Sequence, residues 1–240
     1  VILLVDACNA ALLVHSRGGS ERRVAQESTL RLENYPNVGV ILASSSVAEV
    51  HEWGRYLSGI FSHEVRSALL GPGDMNDDGQ ISFVELAAFV AAANDEVKNP
   101  TIRLKPYIRP PLSDPNLSIV DLHRAKFPTM VRVDDRLAGK AHLVDGNLIR
   151  YADFHKVKGQ GFWLALPRQD DFVLVQGDTE YVVPEDATGA LALADLEVRE
   201  RTVLTSRGAG SDYFERTLFH AAYTREFAQH YLSNDYLDGL

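Results

Sequence analysis

The chain has 240 residues, with 24 Lys and Arg against 33 Asp and Glu, a net charge of -9 and a single cysteine. A 45% hydrophobic share, 24% charged residues and a mean hydropathy of -0.13 describe a globular chain, long enough to bury a core in one large or two small domains. The acidic balance argues against a sequence-independent nucleic-acid binder, which needs a basic face. One cysteine leaves no disulfide within the chain, and no run approaches the roughly 18 apolar residues of a membrane span, so a cytoplasmic protein is expected.

Residues 1–5 (VILLV) are the short, wholly apolar run of a strand covered on both faces, and residues 38–43 (VGVILA) are a second. No basic region precedes the first, so it does not read as a signal peptide. The chain opens inside this strand without a methionine, which suggests a fragment of a longer protein. Between the two runs, residues 16–23 (SRGGSERR) are polar, glycine-containing and expected to be exposed. Two helices follow. Phe61, Val65, Ala68 and Leu69 share one face of the first, and Val84, Ala87, Ala88 and Ala91 one face of the second.

Five of the ten prolines fall at Pro100, Pro106, Pro110, Pro111 and Pro115. Such a stretch lacks N–H donors and disfavours helix before each ring, so residues 99–116 read as an extended connector that is neither helix nor central strand. Beyond it, residues 129–133, 140–144, 161–166, 172–175 and 181–183 are short strands separated by Asp145-Gly146, Pro167 and Gly177-Asp178. They predict a small antiparallel β-sandwich over residues 117–205. In residues 206–240, Phe214 is followed by Phe219, Tyr223, Phe227 and Tyr231 at intervals of four, a stripe expected to dock on the protein's own core.

The most specific motif is DMNDDGQISFVE at residues 74–85. It matches the twelve-position calcium loop. Asp74, Asn76 and Asp78 supply side-chain oxygens at positions 1, 3 and 5, and Gly79 makes the sharp turn at 6. Gln80 offers its carbonyl at 7, Ser82 stands at 9, and Glu85 closes the shell at 12. Hard oxygens in that number suit Ca²⁺, and the clustered acids repel one another without a cation. Ser82 and Glu85 also read as a helix capping box, and the two readings are compatible. A single loop suggests a structural site of modest affinity.

Asp6, Ala7 and Cys8 follow the first apolar run. A thiol at a strand end can be activated by a neighbouring base and by backbone N–H groups that hold an oxyanion. Taken alone, Cys8 reads first as an inert buried residue and Asp6 as a strand-end hydrogen-bond acceptor.

Residues 1–8 nonetheless resemble the nucleophile strand of caspase-like and metacaspase-like cysteine proteases, where a hydrophobic strand ends in Asp-Ala/Ser-Cys. Residues 41–49 (ILASSSVAE), Gly59 to Ser62 (GIFS) and residues 74–89 are similar to the following segments of bacterial members, in the same order. The resemblance covers about residues 1–95. It implies an α/β caspase-like sheet, in part, that carries the calcium loop, and the β-rich remainder resembles accessory domains of such proteases.

The resemblance further implies Cys8 as nucleophile and Asp6 as the pocket acid that receives a basic substrate side chain. Ser44, Ser45, Ser46, Glu49 and Glu52 are candidates for lining that pocket. An anionic pocket selects Arg or Lys by charge pairing. Asn9 and Ala11 depart from the family's His and Gly. The family's general-base histidine lies upstream of the cysteine, so it is expected on an N-terminal segment of the same protease. His15, His51, His63, His123, His142, His155, His220 and His230 are poor substitutes.

Arg17, Arg22 and Arg23, in the polar loop, are candidate processing sites for an Arg-directed protease, against the plain reading of a solvated loop. The leading expectation is a cysteine endopeptidase acting on protein or peptide substrates after Arg or Lys. The alternative is a catalytically inactive, calcium-stabilised interaction module. A calcium-binding adaptor unrelated to proteases leaves the Asp6 to Cys8 strand end unexplained.

Overall fold

The computed structural model describes residues 1–6, 34–43, 52–53, 58–99, 103–104, 106–168, 170–200 and 215–233. The two apolar runs form the parallel pair β1 (Ile2–Val5) and β2 (Gly39–Leu42), in register from Ile2 opposite Gly39 to Val5 opposite Leu42. β2 is buried throughout, as expected. β1 is not: among the described residues one of its faces is uncovered, with Ile2 40% and Leu4 46% exposed while Leu3 and Val5 on the other face are half-buried.

A two-stranded ribbon, β3 (Glu52–Trp53) and β4 (Ser58–Gly59), leads into α1 (Ile60–Leu69). Residues 74–85 then carry β5 (Gln80–Ser82) into α2 (Phe83–Asn94). α2 corrects the expected face. Leu86, Ala87, Ala88, Phe89, Val90, Ala92 and Ala93 are buried, whereas Val84 and Ala91 are only half-buried. A helix apolar nearly all round is one packed on several sides. Here α1 lies on one side and the C-terminal segment on another: Phe89 meets Phe219 at 6.0 Å and Tyr223 at 5.2 Å between ring centroids.

The proline-rich connector contributes β6 (Tyr107–Arg109), which adds antiparallel to β2 and completes a three-stranded sheet of order β1-β2-β6. It is an edge strand, the one sheet position where neighbouring prolines cost no ladder bonds.

Nine further strands follow. β7 (Ser118–Asp121) pairs with β5. β8 (Thr129–Val133), β9 (Gly139–Val144), β10 (Arg150–Lys156), β11 (Phe162–Leu166), β12 (Val173–Gln176), β13 (Thr179–Val182), β14 (Gly189–Ala192) and β15 (Glu197–Glu200) make two sheets. One has the order β10-β9-β12-β13-β15 and is antiparallel throughout; the other is β11-β8-β14. β14 departs from the expected antiparallel pattern by running parallel to β8.

The aromatic spacing at the C-terminus is not one helix. Phe219 sits in a turn at φ +56°, Tyr223 lies in extended chain, and α3 (Arg225–Tyr231) begins beyond both, capped by Thr224. Phe219 and Tyr223 are buried against the core, while Phe227 and Tyr231 are partly buried on it. Phe214 lies outside the described residues.

One hydrophobic cluster runs through Phe61, Val65, Leu86 and Phe89 into Leu143, Phe154 and Phe172, so packing is continuous across the connector. A buried polar network joins α1 to β10. The His63 ring donates Nε2–H to Asp153 Oδ2 at 2.8 Å, and Arg66 Nη2 donates to His63 Nδ1 at 2.9 Å. Arginine has no acceptor, so this contact fixes the tautomer. Arg150 holds Asp153 through Nε and Nη2 and Glu215 through Nη1 at 2.9 Å. Arg66 also donates to the carbonyls of Tyr151 and Arg150, and Ser67 Oγ accepts the Asp153 N–H at 3.0 Å.

Burial lowers the His63 pKa to about 4 even though the Asp153 hydrogen bond opposes it. Burial alone would raise Asp153, but the Arg150 charge and the His63 bond hold its carboxyl well below the usual carboxylate range. In the unfolded chain His63 titrates near 6.5. The unfolded state therefore binds more protons between pH 6.5 and about 4, and stability falls as pH drops through that window. The loss expected from His63 is about 3 kcal/mol, with a further decline below pH 4 as Asp153 protonates. Urea unfolding at stepped pH measures this. His63→Gln, which can still donate to Asp153 but does not titrate, should flatten the first part of the decline.

Candidate calcium loop and strand-end site

The 74–85 loop is built on its own backbone. Asp77 at φ +62° and Gly79 at φ +76° turn the chain back toward Asp74. The buried Asp74 carboxylate accepts from the N–H of Asp78 at 3.2 Å and of Gly79 at 2.8 Å. Asn76 Oδ1 accepts from the Asp78 N–H at 3.0 Å, and Asp78 Oδ1 accepts from the Gln80 N–H at 2.8 Å.

At the far end Ser82 caps α2. Its hydroxyl accepts the Glu85 N–H, and Glu85 Oε2 accepts the Ser82 N–H at 2.9 Å, a complete capping box. Glu85 Oε1 also accepts from the Met75 N–H at 3.2 Å, so the carboxylate of position 12 already reaches back to position 2.

The carboxylates are turned onto these donors, and among the described residues no three His, Cys, Asp or Glu side chains sit close enough to hold a metal. The donor set is nonetheless all hard oxygen. Burial raises the Asp74 carboxyl to about 6, with the charges of Glu85 and Asp78 adding to it and the Gly79 N–H opposing. The loop thus concentrates negative charge in a partly desolvated place, which suits a divalent cation with oxygen ligands.

The outer wall of the loop is not solvent. β5 pairs with β7, Gln80 opposite Asp121 and Ile81 opposite Val120, and the Leu122 N–H donates to the Gly79 carbonyl at 2.8 Å. Arg132 of β8 grips Asp77 with both terminal nitrogens at 2.5 Å and lies 5.6 Å from the Trp163 ring centroid. A Cβ added at Gly79 would stand 2.1 Å from His123 Nε2. The Tyr223 hydroxyl lies 3.0 Å from the Glu85 carbonyl and 3.3 Å from that of Gly73.

The second site lies at the C-terminal end of β1. Asp6 Oδ2 accepts from the Ser62 N–H at 3.3 Å and from the Ser62 hydroxyl, so the strand end caps the first turn of α1. Gly59 makes room for it, since a Cβ there would lie 2.7 Å from Asp6 Oδ2. Asp6 Oδ1 is buried and has no hydrogen-bond partner among the described residues.

Glu64, one turn into α1, was not legible as a site residue. It is fully buried, and Oε1 accepts from Asn94 Nδ2 at 2.8 Å, but Oε2 also has no partner among the described residues. Burial pushes its carboxyl well above the usual range, Asn94 opposes, and the charge of Asp6 adds to the rise. The apolar spacing of α1 gave no sign that this position faces inward.

Cys8, Ser44, Ser45, Ser46, Glu49, Arg17, Arg22 and Arg23 lie outside the described residues, as do His15 and His51. Glu52 is described in its backbone alone, opposite Gly59 in the β3–β4 ribbon and so beside the glycine that Asp6 abuts. His63 is sealed in the joint with Asp153, and His155 Nδ1–H donates to the His220 carbonyl at 2.7 Å. None of the described histidines is hydrogen-bonded to Asp6. Comparison with models of known protein families, with curated proteins and with solved structures finds no match for this chain.

Gly79→Ala tests the loop's packing. The left-handed backbone and the clash with His123 should together cost about 2–4 kcal/mol in urea unfolding. Adding His123→Ala should recover part of that loss and leave the backbone share.

Proposed function

We propose that this chain is the downstream portion of a caspase-like cysteine endopeptidase that cleaves after Arg or Lys, with a calcium loop embedded between α1 and α2. The observation that carries the reading is Asp6. Its carboxylate stands at the C-terminal end of a parallel strand pair, two residues before the only cysteine, with one buried oxygen left for a ligand. A substrate guanidinium or ammonium supplies the donor that this oxygen lacks.

In this reading the Cys8 sulfur attacks the scissile carbonyl carbon, and the C–N bond breaks as the thioester forms. A histidine on an N-terminal segment of the same protease takes the thiol proton and passes it to the leaving amine. Water then hydrolyses the thioester, and the backbone N–H of Cys8 contributes to the oxyanion hole. Ser44, Ser45, Ser46, Glu49 and Glu52 line the pocket around Asp6. The substrate is a protein or peptide, and Arg17, Arg22 and Arg23 are the processing sites.

For the metal, Asp74, Asn76, Asp78 and Glu85 would supply side-chain oxygens, Gln80 its carbonyl, and Ser82 a position reached through water. Ca²⁺ there neutralises the clustered acids and braces the helix pair. No helix of the described residues is long and apolar enough to cross a membrane, and a cytoplasmic setting accords with a single cysteine.

A second reading, a catalytically inactive calcium-binding interaction module, draws on two features. His63, on the helix that Asp6 caps, is locked in the structural joint, and Asn9 stands where the family has histidine.

In the full-length protein Cys8→Ala should abolish cleavage of Arg and Lys fluorogenic peptides with an unchanged circular-dichroism spectrum. Asp6→Asn should lower kcat/KM for those peptides roughly a hundred-fold, mostly through KM. Cleavage that survives in Cys8→Ala contradicts the nucleophile assignment. Absence of cleavage in the wild type, with calcium bound, favours the second reading.

A further inference from the structure

The 74–85 loop sits where three parts of the chain meet. Its residues at positions 7 to 9 are β5, and the strand that pairs with β5 is β7, the first strand after the connector. The carbonyl of position 6 accepts from the Leu122 N–H, position 4 is gripped by Arg132, and the carbonyls of position 12 and of Gly73 face the Tyr223 hydroxyl. Behind the loop, the Ala165 N–H of β11 donates to the Leu70 carbonyl at the end of α1 at 2.7 Å. A small cleft lined by Asp74, Phe89, Phe154, Phe162 and Tyr223 lies in the same seam. The loop is therefore walled by the β-rich segment and the C-terminal segment together.

We propose that cation binding at this loop and the docking of the β-rich and C-terminal segments are one coupled equilibrium, carried by β7, Leu122 and Tyr223. The inference rests on the calcium reading of the loop. To face a bound cation, Glu85 must exchange its contacts with the Met75 N–H and the Ser82 hydroxyl, and its own carbonyl is what Tyr223 holds. Gly79 must keep its turn, and its carbonyl is what Leu122 holds. Whatever stabilises that loop geometry tightens these contacts. By reciprocity, whatever loosens the contacts weakens the cation by the same factor.

Arg132 acts on the same wall, but its charge opposes a nearby cation. A neutral substitution is therefore the cleaner probe. Tyr223→Phe removes the hydroxyl and no charge.

The test is amide hydrogen exchange and titration calorimetry on the complete chain, with CaCl₂ as ligand and MgCl₂ as control. Asp78→Asn serves as the ligand-deficient variant, because Asp78 is exposed and its side-chain hydrogen bonds, to Asn76 and the Gln80 N–H, stay within the loop. The expected result is slower exchange, by five-fold or more, at Val120, Leu122 and Ala165 when calcium is added to the wild type but not to Asp78→Asn. Tyr223→Phe should also weaken the calcium Kd about three- to ten-fold. Calcium binding with protection confined to residues 74–85, and an unchanged Kd in Tyr223→Phe, overturns the coupling while leaving the calcium reading intact. No calorimetric binding at all overturns the calcium reading, and the coupling with it.

Discussion

The structure depends on a carboxylate that water never reaches. Asp153 is fully buried in β10, and its cost is met by Arg150 from the same strand and by His63 from α1. A lone buried carboxylate would be strongly destabilising, so these partners must stay where they are. Because one partner is a helix residue 90 positions away, the condition is also a docking condition: α1 cannot leave β10 without stranding the charge. Arg66 extends the same logic by holding two β10-side carbonyls and the second nitrogen of His63.

That joint positions both candidate sites. α1 begins at the residues Asp6 contacts and ends at the turn that opens the acidic 74–85 loop. The loop in turn starts α2 through its last residue, since Glu85 is half of the capping box. A single helix fixed against a β-sheet thus sets the strand-end carboxylate and the acidic loop at its two ends. The β-rich segment is not an appendage in this arrangement, because it supplies the wall of the loop and half of the core cluster.

Much of this was legible from apolar periodicity. β1, β2, both central helices and five of the nine strands of the β-rich segment (β8, β9, β11, β12 and β13) lie where alternation and short apolar runs indicate. β10 is not legible because Arg150, Asp153 and Lys156 break up its apolar pattern, yet all three are buried in pairs that no local pattern reveals. β15 (EVRE) escaped for the opposite reason: it is exposed along its length and carries no apolar face. The inward face of α2 was misjudged because a helix wrapped on several sides has no single stripe. Among candidate site residues, the 74–85 loop was legible because six of its twelve positions carry oxygen donors at fixed spacing and Gly79 makes the turn between them. Glu64 was not, since an acid on an amphipathic helix ordinarily faces water and its inward turn depends on Asn94 of α2.

If the buried ionic joint unites the chain, its parts should not melt separately. Differential scanning calorimetry of the complete chain at neutral pH tests this most directly. One transition is expected, in which calorimetric and van't Hoff enthalpies agree. Two resolved transitions, one belonging to residues 117–200 and unmoved by substitution of His63, would contradict it.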